Sequence, residues 1–419
     1  MNNKKLLLFV FVLGLSCSIF GQNPNNTPCV AGDAFFDAEF ENSLTDMVFT
    51  SESMARSLPS SVDNSTSRFM PPIFNQWGSS SCVHCAEIGY VLTYELNRYR
   101  GVDAGSNWTG TESQRENLYH PFFTYNFVNN GDGRSPTGFG SGFKIVCENG
   151  CPSLNDYYDP VLNQHFNPGS SNASQWAFRR WMDGEEKYIN ASENKTRVFP
   201  NNMECYKITW GNTYETLTPL KRWLHNHNSS SNTGGIAVIS VCMGSDSSGF
   251  PLFDWDTIQT GPGAGEKILT SWAPTGWHAL TIVGYNDDIC LSGDCSNPNP
   301  NTPLSDCEKG AFKVANSWGN NYTTTNGYIW VPYSLMANIN KRAYTCVFEE
   351  EPEKLLFLSA TIKHPKRNKI IIYVGRGDDA LSSSPIPNQG DSQSFHIFKN
   401  SGGPFPMNGN DDNPQPIGL

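Results

Sequence analysis

Charge is scarce in this sequence, and long apolar runs are nearly absent. Only 16% of the 419 residues are Asp, Glu, Lys or Arg, and their balance is acidic, with a formal net charge of −11. An acidic surface excludes nucleic acid as a natural partner and favours solubility. The one pronounced apolar run, Leu6 to Leu15, is too short to span a bilayer, so no membrane span is expected. No internal repeat is present, which excludes solenoids and propellers. Cys82-Val83-His84-Cys85 has no second Cys-x-x-Cys partner and no thioredoxin-like βαβ pattern around it, which disfavours a redox or metal pair. His225 and His227 alone have metal-ligand spacing, and they lie in a Ser/Asn-rich stretch that reads as a solvated loop. No metal and no cofactor are expected.

What is present begins with an export signal. Lys4 and Lys5 precede the apolar run, and Gly21 is a small residue just before Gln22. Residues 1–21 therefore read as a secretory signal peptide, and the chain is expected outside the cytoplasm (extracellular, periplasmic or at the cell surface). Gly14, three residues before Cys17, disfavours lipid attachment there. Cleavage before Gln22 leaves Cys29, Cys82, Cys85, Cys147, Cys151, Cys205, Cys242, Cys290, Cys295, Cys307 and Cys346. Export favours disulfides, and an odd count leaves at least one thiol over. Pairings do not follow from the sequence, although Cys290, Cys295 and Cys307 share one Pro/Asn/Asp-rich loop that disulfides would staple.

Residues 22–57 carry few periodic apolar positions and read as a leader or short pro-segment. Ser79, Ser80 and Ser81 offer N-caps. From Cys82 to about Arg98, the residues Cys82, Cys85, Ala86, Gly89, Thr93 and Leu96 recur at helical spacing and predict one narrow, small-residue face. A helix opening at Pro121, another closing at Glu148-Asn149-Gly150, and a third over Leu217 to His227 follow. Residues 163–200 read as an insertion with a helical segment around Trp176 to Tyr188. Strands are predicted at Gly234 to Val241, Ala279 to Tyr285, Ala311 to Asn316 and Gly327 to Val331, with residues 243–275 as a long loop between the first two. After Pro352, two strands (Leu355 to Lys363 and Lys369 to Val374) around a His364–Asn368 turn suggest a small β appendage, and residues 376–419 a poorly ordered tail.

Three blocks carry chemistry. Gln76 lies six residues before Cys82, His278 sits in Trp277-His278-Ala279-Leu280-Thr281-Ile282-Val283-Gly284-Tyr285, and Asn316 opens Asn316-Ser317-Trp318-Gly319. A thiol attacks an amide carbonyl only as thiolate. A helix N-terminus favours that charge, and a nearby imidazole can take the proton. Cys82 opens the predicted helix, and His278 is the base. The oxyanion of a tetrahedral intermediate needs preplaced donors. The Cys82 N–H is one, and the Gln76 side-chain amide can be the other. The Asn316 amide oxygen can orient the imidazole. His84, two positions along the helix from Cys82, points away from the nucleophile and reads as surface or subsite wall. Cys85 reads as a buried or disulfide-bonded residue.

The order Gln, Cys, His, Asn and the contexts of these blocks resemble the papain-like cysteine peptidases over about residues 58–350. The resemblance implies an α+β, two-lobed fold, with a helical lobe and a β-barrel lobe facing across a cleft. It implies Cys82, His278 and Asn316 as catalytic residues, Gln76 at the oxyanion hole and Trp318 shielding the His–Asn hydrogen bond. Gly140, Gly142 and Trp277 are its substrate-binding candidates. It further implies a monomeric secreted peptidase acting on protein or peptide substrates. His278 lies 196 residues after Cys82, against about 130–150 in the papain pattern, and the stretches 163–200 and 243–275 account for the excess. Val83 stands where the family has Trp, and Ser79 where it usually has Cys, so one common disulfide is missing. A catalytically dead binding module and a cell-wall amidase are the alternatives. The complete Gln/Cys/His/Asn set disfavours the first, and the Asn-Ser-Trp block the second.

Overall fold

A computed structural model describes residues 38–128, 133–134, 136–157, 203–228, 233–245, 251–290, 309–321, 326–337, 339 and 341–348, with short strand segments beyond residue 358. The expected signal peptide, the insertion at 163–200 with its helical segment, and Cys29, Cys295 and Cys307 lie outside the described residues.

The nucleophile helix is one continuous run in three parts. α3 (Cys82–His84) passes into a π-helical stretch, Cys85–Leu92, and then into α4 (Thr93–Arg100). It stops at Gly101, whose φ of 67° closes the helix in the left-handed conformation. The expected narrow apolar face is not what forms. Every residue from Ser81 to Asn97 is buried, as in a helix enclosed on all sides. Even Glu87, Glu95 and Asn97 are buried. Around it pack α5 (Glu112–Arg115), α6 (Pro121–Val128), α7 (Ser141–Asn149) and α8 (Leu154–Tyr157). α6 opens at Pro121 and α7 closes at Gly150, as the sequence predicts. The approach of α6 is close: a Cβ on Gly89 would lie 3.1 Å from Pro121 Cγ.

The helices cover one face of a sheet. Its strands are β1 (Thr45–Asp46), β2 (Ser61–Asp63), β3 (Met203–Thr209), β4 (Ala237–Cys242), β5 (Asp254–Thr257), β6 (Lys267–Ser271), β7 (Trp277–Cys290), β8 (Lys309–Ala315), β9 (Tyr328–Pro332) and β10 (Arg342–Phe348). They run in the order β1-β3-β10-β4-β7-β8-β9-β6-β5, with β2 on the far end of β7. All pairings are antiparallel except β1 with β3 and β6 with β9. Both faces are buried, and the pleat sorts the side chains. Val238, Ala279 and Val283 join the helices in one core. Ala237, Ile239, Val241, Leu280 and Ile282 face α9 (Thr218–Asn226) through Leu220, Trp223 and Leu224 in the other.

Among the described residues no pairing joins β1 to β5. Two expectations need correction. Residues 243–275 are not one loop, because β5 and β6 form a hairpin inside them. The described parts of the strands expected around the His364–Asn368 turn do not pair with each other. Instead, β11 (Ser359–Thr361) pairs with β14 (Pro416–Gly418) and β12 (Tyr373–Val374) with β13 (Phe395–His396), so strands also occur within the expected tail.

The segment read as a leader or short pro-segment packs on the body of the fold from residue 38 onward. α1 (Ala38–Ser43) buries Phe40, β1 joins the sheet beside β3, and Glu41 pairs with Arg342. α2 (Ser51–Ala55) is held from α9, where the Arg222 guanidinium donates to the carbonyls of Ser53 (2.6 Å) and Arg56 (2.9 Å). Isolated anchors and backbone bonds of this kind leave no periodic trace in a sequence.

Candidate active site

Cys82 is the first residue of α3, and the serines before it do not cap the helix. Ser81 makes no side-chain cap bond. Its hydroxyl instead lies 2.8 Å from Ser79 Oγ and 3.5 Å from Cys85 Sγ. The opening N–H groups are therefore left for the sulfur. The backbone N–H groups of Ala279, at the start of β7, and of Val83 and Cys82 favour thiolate at Cys82, but burial outweighs them. It pushes the thiol up to about 11, and the nearby Glu87 acts in the same direction.

On the sheet side, His278 is fully buried on β7, and Asn316 follows β8. His278 Nε2 lies 2.7 Å from Asn316 Oδ1. The same oxygen accepts the Ser317 N–H at 2.7 Å, which identifies it as oxygen and therefore His278 Nε2 as the protonated nitrogen. Trp318 stacks on the imidazole with ring centroids 4.6 Å apart and covers this hydrogen bond. Burial brings His278 down to about 4, opposed by the Asn316 bond. Burial thus acts against charge on both groups, raising the thiol and lowering the imidazole.

Gln76 is tied to the Asn316 block by both backbone and side chain. Its N–H donates to Ser317 O (2.8 Å), Gly319 N–H donates to Phe74 O (3.1 Å), and Ser317 Oγ donates to Gln76 Oε1 (2.5 Å). Gln76 Nε2 donates to Ser79 O at 2.8 Å. That uses one of its two N–H groups, and a primary amide has a second. Gly319 is required here. Its φ is 81°, and a Cβ would come within 2.9 Å of Asn75 Nδ2.

Two residues that sequence reasoning missed hold this constellation. The buried Tyr90 hydroxyl donates to Asn316 O (2.8 Å) and accepts from Phe74 N–H (2.8 Å). One oxygen thus joins the nucleophile helix, the Gln76 segment and the Asn316 block. The buried Glu87 carboxylate accepts from the N–H groups of Gly140 (2.5 Å), Gly142 (2.9 Å) and Phe143 (3.3 Å) at the start of α7. Burial raises it to about 8 despite these bonds. The one available signal was that both residues lie within eight positions of Cys82.

The remaining candidates fall elsewhere. Gly140 and Gly142 are buried with their N–H groups committed to Glu87, and the Phe40 ring occupies the place of a Gly140 Cβ. They brace α7 rather than offer an edge to substrate. Trp277 is buried beside His278, opposite Cys242 on β4. His84 is not at the surface. It is fully buried, with Nδ1 2.8 Å from Thr124 Oγ1 and Nε2 3.3 Å from Ser141 Oγ, and burial brings it down to about 3. Cys85 is a buried free thiol.

No protein-family model and no curated protein matches the chain. Its structural neighbours are papain-like cysteine proteases. They include a digestive procathepsin L 3 of Tenebrio molitor larval midgut, 14% identical, covering 73% of this chain and 75% of that one, with a TM-score of 0.41. ProCathepsin B S9 from Trypanosoma congolense is 16% identical, covering 75% and 86%, with a TM-score of 0.42. Xylellain, a cysteine protease from Xylella fastidiosa, is 16% identical, covering 78% and 97%, with a TM-score of 0.42. These are likenesses of outline, and the chemistry of the site rests on its own distances.

Proposed function

We propose that this chain is a secreted thiol peptidase that hydrolyses peptide bonds through an acyl-enzyme on Cys82. The carrying observation is the hydrogen bond from His278 Nε2–H to Asn316 Oδ1, with His278 on the strand that packs against the helix opened by Cys82. With Nε2 holding its proton against Asn316, Nδ1 is the nitrogen that acts as base. The pair rests neutral, and the thiol proton passes to Nδ1 as the sulfur attacks the scissile carbonyl. The Cys82 N–H and the second N–H of Gln76 bind the resulting oxyanion. The imidazolium then protonates the leaving amine, giving a thioester. Water, deprotonated by the same imidazole, attacks the thioester, releasing the acid and restoring the thiol.

The test is casein hydrolysis together with labelling by a thiol-directed epoxide. Cys82→Ala is expected to lose both while keeping its circular dichroism spectrum. Full hydrolysis by Cys82→Ala overturns the reading. Labelling of the wild type at Cys82 without hydrolysis of casein or of peptide libraries would leave a binding module. Cleavage of peptidoglycan fragments in place of casein would make it an amidase.

A further inference from the structure

Three cysteines that the proposed chemistry does not use meet where the helices join the sheet. Cys147 lies in the last turn of α7 and Cys205 on β3, and their sulfurs are 3.9 Å apart. Cys346 on β10 is the direct cross-strand partner of Cys205 in the antiparallel ladder. All three are free thiols in the structure. Cys147 and Cys205 are partly exposed, whereas Cys346 is fully buried. Among the described residues no group of three His, Cys, Asp or Glu side chains is arranged to hold a metal ion, so the cluster is not a metal centre. Cys242 and Cys290 are already disulfide-bonded, as suits the export the sequence predicts.

We propose that Cys147 and Cys205 are a disulfide-forming pair that ties the helical layer to the sheet. Their sulfurs are at van der Waals contact. A disulfide has an S–S length of about 2.05 Å, so closure requires the sulfurs to approach by roughly 2 Å, within reach of side-chain rotation on packed elements. The oxidant is a disulfide donor of the oxidising compartment, such as a protein oxidoreductase disulfide or oxidised glutathione. One thiolate of the pair attacks that disulfide, forming a mixed disulfide and expelling one donor thiolate. The second thiolate attacks the protein sulfur of the mixed disulfide, forming Cys147–Cys205 and expelling the other donor thiolate. Two electrons pass to the donor, and the two thiol protons end on its two released thiolates.

The partner choice follows from access. Cys205 has two neighbours, but the sulfur of Cys346 is buried in the core between sheet and helices, where an external disulfide does not reach it. The bond would fasten the end of α7, while Glu87 holds the start of the same helix near Cys82. Both ends of that helix would then be fixed relative to the site.

The test maps thiols in the full chain secreted under oxidising conditions. Free thiols are alkylated in denaturant without reductant, and the digest is read by mass spectrometry. A peptide pair linked through Cys147 and Cys205, with Cys346 alkylated, is the expected result. Alkylation of both Cys147 and Cys205, or a link between Cys205 and Cys346, overturns the proposal. Titration of the wild type with glutathione buffers is a second readout that needs no substitution. The Cys147–Cys205 peptide should appear and disappear reversibly while Cys346 stays alkylated throughout. The mapping reads the bond whether or not the chain hydrolyses peptides.

Discussion

The two sides of the candidate site are built by different means. On the helix side, what surrounds the sulfur of Cys82 is backbone, and the N–H groups of Ala279, Val83 and Cys82 itself favour its charge. On the sheet side, the imidazole of His278 is placed by side chains, with Asn316 at its edge and Trp318 on its face. A position fixed by backbone N–H groups tolerates changes of neighbouring residue type. A ring fixed by one amide and one indole does not. The helix side therefore explains how Val83 can stand in a place where the resembling family has Trp, and substitutions should separate the two sides.

The largest effect beyond the nucleophile itself is expected at the oxyanion donor. Gln76→Ala should lower kcat by about a hundred- to a thousandfold with little change in KM, read from steady-state peptide hydrolysis. Asn316→Ala, which frees the ring without touching the helix side, should cost roughly ten- to a hundredfold in kcat, as part of what positioned proton transfer contributes. Val83→Ala should change kcat by less than about threefold, because its N–H remains in place. If Val83→Ala proved as damaging as Asn316→Ala, the contrast between the two sides would be wrong.

Smaller effects probe burial. Tyr90→Phe leaves the Phe74 N–H and Asn316 carbonyl without their shared hydroxyl, and should cost about 1–3 kcal/mol in denaturant unfolding. With the thiol pushed up to about 11 and the imidazole down to about 4, iodoacetamide modification of Cys82 should accelerate steadily from pH 6 to 10. A plateau across that range would show a resting ion pair instead. His84 and His278 stay neutral in the native state down to about 3 and about 4, whereas an unfolded histidine protonates near 6.5. The unfolded chain thus binds more protons between those values, and native stability should fall as pH drops from about 6.5 toward 4. Glu87 has the opposite sign. Its native value is raised to about 8 from 4.5, so its contribution weakens as pH rises through that interval. Thermal midpoints across pH should show a maximum between the two declines, and Glu87→Gln should flatten the alkaline one.

The sequence singled out the candidate residues and left their supports dark. Cys82, His278 and Asn316 stood out because each sits in a block of unusual residues. The order of the main helices and strands followed from Pro121, Gly150 and the β-branched runs. Glu87 and Tyr90 did not stand out, because a buried carboxylate and a bridging hydroxyl gain their roles only from chain segments distant in sequence. The β5–β6 hairpin was masked by Gly, Ser, Asp and Pro around it. The strap from Ala38 to Arg56 is held by backbone pairing and a few isolated side chains, which no periodicity records. The effect of burial on Cys82 and His278 was invisible for a related reason, since solvent exclusion belongs to the whole fold and not to a motif.

The wide turns of Cys85–Leu92 set a phase between the nucleophile and the tyrosine beyond it. Tightening these turns into ordinary α geometry at unchanged length would swing Tyr90 around the axis by roughly 90°. The sulfur would stay where it is, while the clasp between Phe74 and Asn316 would come undone. The width of the turns, and not only the side chains they carry, therefore holds the helix in register with the two segments it joins.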